Sequence, residues 1–301
     1  MLHILGAGSL GLLWAARLQQ AGINYRLIVR NESQLRQWNS NGNRLVFDDG
    51  AAKHTLSLAI ETPDTPAPIE NLIVATKAHA ALAAVESLRP RLQPGAALFL
   101  LQNGLGSQQA IADAFTDCRI YCVSVTDGAW RPSEHELIWA GRGHNTVGPL
   151  RPGTAPPDWL NDLPSSISTT WQHDILPVLW RKLAVNCAIN PFTLIYDCRN
   201  GEVPERAGEW LGQCIAELQQ VLASQGVDAN LAEQVHAVIL ATANNSSSTR
   251  QDLHARRRTE LSYFLGYACR AAQSAGLSTP ALDRLLLSAQ DALRRHQLPA
   301  D

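Results

Sequence analysis

The stretch LHILGAGSLGLLWAARLQQAG near the amino end constrains the fold more than any other. A short apolar, strand-like run leads straight into Gly6-Ala7-Gly8-Ser9-Leu10-Gly11, and a helical pattern follows. A GxGxxG run alone is weak evidence; one lying between a strand and a helix is specific, because each glycine then has a geometric reason. The first permits a tight turn, the second a close approach of backbone to a diphosphate, and the third close packing of helix on strand. Free amides at the helix start receive the anionic oxygens. The competing reading, a glycine-rich turn without a ligand, leaves this strand-turn-helix context unexplained.

Beyond that turn, the first half alternates strand-like runs (YRLIVR, NLIVATK, AALFLLQNG, IYCVSVTDGAW, ELIWAG, NTVG) with helical stretches such as AHAALAAVESL. Such alternation predicts a parallel sheet covered by helices. Residues 151–164, rich in Pro, Asp, Asn and Gly, read as a surface connection near a domain boundary. After about Gln172 the pattern turns helical: a helix around Lys182, then WLGQCIAELQQVLASQG, LAEQVHAVILATANN, one long stretch TRQDLHARRRTELSYFLGYACRAAQSAG, and PALDRLLLSAQDAL. The expected fold is α/β, with an N-terminal Rossmann-type parallel-sheet domain over 1–171 and a C-terminal all-helical domain over 172–301. A chain of 301 residues with 46% hydrophobic content can fill two cores.

Composition narrows the function classes. A net charge of −2 argues against a general nucleic-acid binder, which needs a positive surface. The six cysteines show no CxxC pair and no zinc-like His/Cys spacing, so they read as reduced thiols and no metal site is expected. The amino end opens on a strand rather than on a signal peptide, and no apolar run reaches membrane-spanning length. A cytoplasmic protein bound to neither nucleic acid nor membrane is the expectation.

Three further positions fall where loops leave the carboxyl ends of strands, the edge at which open α/β sheets bind ligands. Arg30 follows YRLIV where an NAD site usually carries an acid, so it favours a ribose phosphate and hence NADPH. Its alternative is a solvated arginine, with Glu32 close enough to pair with it or to approach a ribose. Lys77 follows NLIVAT and Asn103 follows AALFLLQ; either could serve the nucleotide, or be a helix-start charge and a turn residue respectively.

The helical half contains WRKLAVNCAINPFT, in which Lys182, Asn186 and Asn190 interrupt an apolar helix at four-residue intervals. That spacing sets them on consecutive turns along one stripe. Buried without partners they would cost several kcal/mol, so the protein or a ligand satisfies them. Such a stripe offers one cation and two uncharged amides that can hydrogen-bond one object together. Helix capping beside Pro191 is the competing account of Asn190, but it does not reach Asn186.

GAGSLG, ATKAH, QNGLG, WRKLAVNCAINP, CRNGE and RRRTELSYFLG occur in this order. With them the chain resembles the ketopantoate reductase (2-dehydropantoate 2-reductase) family over nearly its whole length. WRKLAVNCAINP is the most specific part, whereas the glycine motif is shared with many unrelated dehydrogenases. The resemblance implies NADPH-dependent reduction of ketopantoate to pantoate in pantothenate and coenzyme A biosynthesis. It implies that Lys182 is the catalytic lysine and a substrate contact, that Asn186, Asn190 and Asn200 face the substrate, and that Ser248 lies near its carboxylate. Glu260 would complete the active site beside the nicotinamide as a catalytic and cofactor-contacting residue, and Lys77 and Asn103 would contact the cofactor together with residues 6–11 and Arg30. A homo-oligomer is compatible with such an enzyme.

Local alternatives remain for two of these. Ser248 and Gln251 have the spacing of a capping box, and Glu260 could pair with Arg256 one helical turn away. Asp197 and Arg256 to Arg258 match no family role. The competing functions are reduction of another small 2-oxo or 3-oxo acid, and a nonenzymatic NADP(H)-binding sensor.

Overall fold

Strands with apolar side chains on both faces must be covered on both, and that requirement organises the first half of the chain. The computed structural model describes residues 1–164 and 166–300. The chain runs β1 (Leu2–Leu5), α1 (Ser9–Gln20), β2 (Tyr25–Ile28), α2 (Glu32–Ser40), β3 (Arg44–Asp48), β4 (Lys53–Ser57), β5 (Ile60–Glu61), β6 (Ile69–Val74), α3 (Ala78–Glu86) and β7 (Leu92–Leu100). It continues through α4 (Ser107–Ala114), β8 (Arg119–Val125), β9 (Gly128–Trp130), β10 (Glu136–Gly141), β11 (Asn145–Pro149) and β12 (Thr169–Trp171). Eight strands align in the order β12-β11-β8-β7-β6-β1-β2-β5. All neighbours are parallel except β11 against β8. A second sheet has the order β4-β3-β10-β9.

Side-chain alternation divides the core. Ile4, Leu27, Ile73 and Phe99 pack in one cluster with Leu12, Trp14 and Ala16 of α1 and with Leu45, Phe47 and Leu137 of the second sheet. Their sequence neighbours Leu5, Ile28, Leu72, Val74 and Leu98 face the other way and meet Ala81 and Val85 of α3 and Ile111 of α4. Each fully buried aliphatic side chain contributes roughly 1.5–3 kcal/mol. On the first face, the Arg17 guanidinium donates to Asp127 at 2.9 Å and to the carbonyl of Ser166, and Asp127 also accepts from the Trp139 indole at 3.0 Å and the Gly143 amide at 2.9 Å. This buried network ties α1 to the segment that follows β8.

Strand order reverses at β1: β2 lies on one side and β6 on the other. The crevice between the carboxyl ends of β1 and β6 is therefore the topological switch point.

The rest of the chain is helical. It contains α5 (Leu176–Ile195), α6 (Val203–Ala207), α7 (Glu209–Ser224), α8 (Leu231–Ala241), α9 (Ser248–His254), α10 (Leu265–Ser274) and α11 (Pro280–Arg295). Helix α5 is the hub and packs against α7, α8, α9, α10 and α11. The Glu217 carboxylate of α7 accepts the free amides of Ala281 and Leu282, closing the start of α11. Contacts divide the chain into two compact units: Met1–Gln102 with Ser107–Ile175, and Asn103–Gly106 with the residues from Leu176 onward. No helix among the described residues is long and apolar enough to cross a membrane.

Two expectations change. The stretch 249–276 is not one helix: α9 ends at His254, Arg256 takes a left-handed φ of 52°, and α10 begins only at Leu265. A left-handed non-glycine residue cannot continue a right-handed helix, so Arg256 and Glu260 do not share a helical turn. Residues 151–164 are not merely a surface connection either, because Leu160 is buried and the Trp159 ring packs edge-on to Phe99 at 4.8 Å.

Candidate functional site

In the first unit the glycine run closes the turn between β1 and α1. Gly6 has φ 107°, and a Cβ there would lie 2.9 Å from the Thr76 methyl; a Cβ on Gly11 would lie 1.9 Å from the Gly6 carbonyl oxygen. Only glycine fits at position 11, and the turn is packed tightly enough for backbone alone to face a ligand. Gly8 is the N-cap of α1, without a side-chain cap and without an acid in the first turn. The amides of Ser9, Leu10 and Gly11 begin the helix, whose dipole favours an anion at that end. The donor set suits a dinucleotide diphosphate. Ala75 and Thr76 pack under the glycines, so the ATK stretch after β6 lines the same turn.

Lys77 is the N-cap of α3 and is partly buried. Gln102 braces this loop by donating its amide to the carbonyls of Val74 at 2.9 Å and Thr76 at 3.1 Å. Arg30 is exposed just past β2, with its backbone amide donating to Gln34 at 2.9 Å. Glu32 accepts from the Thr62 hydroxyl at 3.2 Å.

In the second unit, α5 carries Lys182, Asn186 and Asn190 on successive turns. All three are partly exposed, whereas Leu183, Ala184, Cys187, Ala188 and Ile189 are buried. Pro191 lies inside the helix, which continues to Ile195; Asn190 is therefore not a terminal cap. Burial draws the Lys182 ammonium down to about 8 from the ordinary 10.5, and the Glu260 carboxylate opposes that fall. Glu260, 8% exposed, caps the 3-10 turn Leu261–Tyr263. The structure thus brings Lys182 and Glu260 into electrostatic contact.

Asn103 groups with this helical unit. The Leu105 amide donates to the Tyr263 carbonyl at 2.7 Å, and Gly104 has φ 80° and lies where a Cβ would stand 2.2 Å from that same oxygen. Asn200, 8% exposed, donates to the Thr242 hydroxyl at 2.9 Å and its backbone amide to the Asn245 carbonyl at 3.1 Å, while its side-chain oxygen is buried without a hydrogen bond. These bonds fix the approach to the serine run. Within that run the cap differs from the expected one. Ser247, not Ser248, is the N-cap of α9: it accepts from the Arg250 amide at 3.1 Å and shares a 2.6 Å hydrogen bond with Thr193 of α5. Ser248 is exposed at the first helical position, free of cap duty.

Sequence reasoning misses Arg131, Gln102 and Thr193, and it leaves the register within Ser246 to Ser248 open by one position. Gln102 lies within QNGLG and Thr193 ends WRKLAVNCAINPFT, yet neither stands out there by type or spacing, and the serine run SSS does not say which hydroxyl turns inward. Asp197 takes φ 45° and accepts from Arg250 at 2.7 Å and His254 at 2.6 Å, which accounts for its presence as a brace between the end of α5 and α9. Among the described residues, no group of three or more His, Cys, Asp or Glu is placed to hold a metal ion.

Comparisons with known proteins agree with this architecture. The family model described as "Ketopantoate reductase PanE/ApbA" matches residues 2–152, and that described as "Ketopantoate reductase PanE/ApbA C terminal" matches residues 174–290. A 2-dehydropantoate 2-reductase of Vibrio cholerae is 32% identical over 285 residues, 92% of either chain. The crystal structure of a probable 2-dehydropantoate 2-reductase from Bacillus subtilis is similar with a TM-score of 0.80 at 26% identity, covering 97% of this chain and 99% of its own. D-mandelate dehydrogenase in ternary complex with NADH and anilino(oxo)acetate shares the fold, with a TM-score of 0.87 at 20% identity over 99% of this chain and 100% of its own.

Proposed function

The chain belongs to the ketopantoate reductase family, and from that premise we propose that it reduces ketopantoate to pantoate with NADPH, Lys182 supplying the proton. The observation that carries the reading is the partly exposed polar stripe Lys182, Asn186 and Asn190 beside the buried face of α5 (Leu183, Ala184, Cys187, Ala188 and Ile189), with Glu260 acting on the lysine. Residues 1–171 form the nucleotide-binding part in this reading and residues 172–301 the substrate-binding part, with Asn103 serving the cofactor from its place in the helical unit. Residues 6–11 would hold the diphosphate, Arg30 the ribose phosphate, and Lys77, Asn103 and Glu260 the remainder of the dinucleotide. When bound, the nicotinamide supplies the hydride to the ketone carbon.

The protein's own residues do the rest. A protonated Lys182 faces the carbonyl oxygen as negative charge develops there; a cation at about 4 Å in a partly desolvated site is worth roughly 4 kcal/mol before desolvation is counted. Its proton then passes to that oxygen, and a proton affinity near working pH favours the transfer. Asn186 and Asn190 orient hydroxyl and carboxylate groups, Asn200 adds another substrate contact, and Ser248 lies near the substrate carboxylate. The Glu260 carboxylate keeps Lys182 charged. The six free cysteines fit a reducing compartment, and we place the enzyme in the cytoplasm on that ground.

The test follows loss of NADPH or NADH absorbance with ketopantoate, other 2-oxo and 3-oxo acids, and phenyl-2-oxoacetate, the ketone corresponding to mandelate. Faster turnover of ketopantoate with NADPH than of any other pair is expected. A different acid turned over while ketopantoate stays inert would replace the substrate. Nucleotide binding without turnover of any oxo acid would favour a sensor.

A further inference from the structure

Arg131 follows β9 directly and reaches back across 124 residues to the glycine turn. Its guanidinium donates through Nη1 to the Ala7 carbonyl at 2.9 Å and through Nη2 to the Glu134 carbonyl at 2.9 Å. The guanidinium thus bridges the phosphate turn and the connection that precedes β10. Ala7 lies inside the glycine run, and its carbonyl shares one planar trans peptide with the Gly8 amide. In such a peptide the C=O and N–H point in opposite directions. Holding the Ala7 oxygen toward Arg131 therefore turns the Gly8 N–H to the opposite side.

The flanking backbone is held on its outer sides, by the Gly6 amide on the Ile28 carbonyl at 3.0 Å and the Leu12 amide on the Gly8 carbonyl at 2.9 Å, and Arg131 acts on the Ala7–Gly8 peptide between them. Gly6 and Gly8 have no side chain to limit rotation of the backbone, Gly8 caps α1 without a side-chain hydrogen bond, and a Cβ at Gly8 would meet nothing nearer than the Ala75 carbonyl at 3.8 Å. Ala7 receives one bond from the guanidinium, and the second arm on the Glu134 carbonyl anchors the planar group so that this bond has a set direction.

We propose that Arg131 is a positioning residue for the diphosphate: by holding the Ala7–Gly8 peptide it presents the Gly8 amide to the dinucleotide, acting through the backbone rather than by contact with the ligand. The inference rests on the nucleotide-binding reading of the glycine turn. It separates Arg131 from Arg30, whose exposed guanidinium serves the ribose phosphate in the same reading. The two arginines should therefore respond to different fragments of the same dinucleotide.

The experiment is calorimetric titration of the full chain and of Arg131→Met and Arg131→Lys with two ligands: NADPH, and adenosine 2′-phosphate, which has the ribose phosphate but no diphosphate. Loss of one charged hydrogen bond at the turn should weaken NADPH about tenfold in Arg131→Met. Adenosine 2′-phosphate should bind within about twofold of the unaltered protein, and Arg131→Lys, with one donor group in place of the fork, should restore part of the NADPH affinity. Unchanged NADPH affinity in both variants, or equal weakening of both ligands, would overturn the proposal; the second result would mark Arg131 as a general brace of the fold. Should Arg131→Met fail to fold, Arg131→Lys must by itself weaken NADPH and spare the fragment. No NADPH binding by the unaltered protein would remove the nucleotide reading and this inference together, whereas normal binding there with unaffected variants removes only the inference.

Discussion

Reduction should lose speed in alkali with a midpoint near Lys182's own titration. An ordinary lysine titrates at 10.5; burial brings this one down to about 8 against the pull of Glu260. As proton donor it must carry its proton, which about 90% of molecules do at pH 7, half at pH 8 and about 10% at pH 9. In the reductive direction kcat/KM should therefore be level below pH 7, then fall about tenfold for each unit above 8. Glu260→Gln supplies the sign test. Removing the carboxylate leaves desolvation unopposed, so the lysine titrates lower still and the alkaline limb moves to lower pH, whatever happens to its height. The same shift makes a stability statement: between about 8 and 10.5 the unfolded chain binds a proton at Lys182 that the folded chain has released, so this group makes stability rise with pH in that window. Initial rates from pH 6 to 10 with both proteins measure the limb. A profile level to pH 10, or a limb that moves upward in Glu260→Gln, would refute the assignment of the proton to Lys182 under Glu260 control.

Lys182→Met should lower turnover by about 10²–10⁴-fold while NADPH affinity, measured by calorimetry, stays within about threefold. Gly11→Ala would place a Cβ 1.9 Å from the Gly6 oxygen, forcing the phosphate turn open; NADPH binding should disappear from the titration. Asp127→Ala would strip the charged partner from Arg17, which is 3% exposed and paired at 2.9 Å, and leave it the Ser166 carbonyl. An uncompensated buried charge costs about 3–5 kcal/mol, so the urea midpoint should fall clearly, and an unchanged midpoint would show that water reaches Arg17.

What could be read from the chain depends on whether a feature is local to one element. The glycine turn and the Lys182 stripe are properties of a single turn and a single helix, so spacing reveals them directly. The break at Arg256 leaves a weaker trace: no glycine or proline marks it, and the helix-forming residues around it obey the helical period up to the point where the backbone turns left-handed. Strands β3, β4, β5 and β12 are short, two to five residues each, and find stability only in partners supplied by topology.

Arg131, Gln102 and the Thr193–Ser247 pair belong to a further category, since each acts on a backbone or side chain that is remote in sequence. Asn103 shows how far this reaches. By chain order it ends a strand of the parallel sheet and should behave as part of that sheet's edge. Two residues later the Leu105 amide hydrogen-bonds the Tyr263 carbonyl, and Gly104 can lie against the same oxygen only because it lacks a Cβ. A four-residue loop is thereby fastened to the turn that presents Glu260. Its position is set by the helical unit, although its sequence context is that of a strand end, and a substitution at Gly104 should be felt first at Glu260 and Lys182 rather than in the sheet.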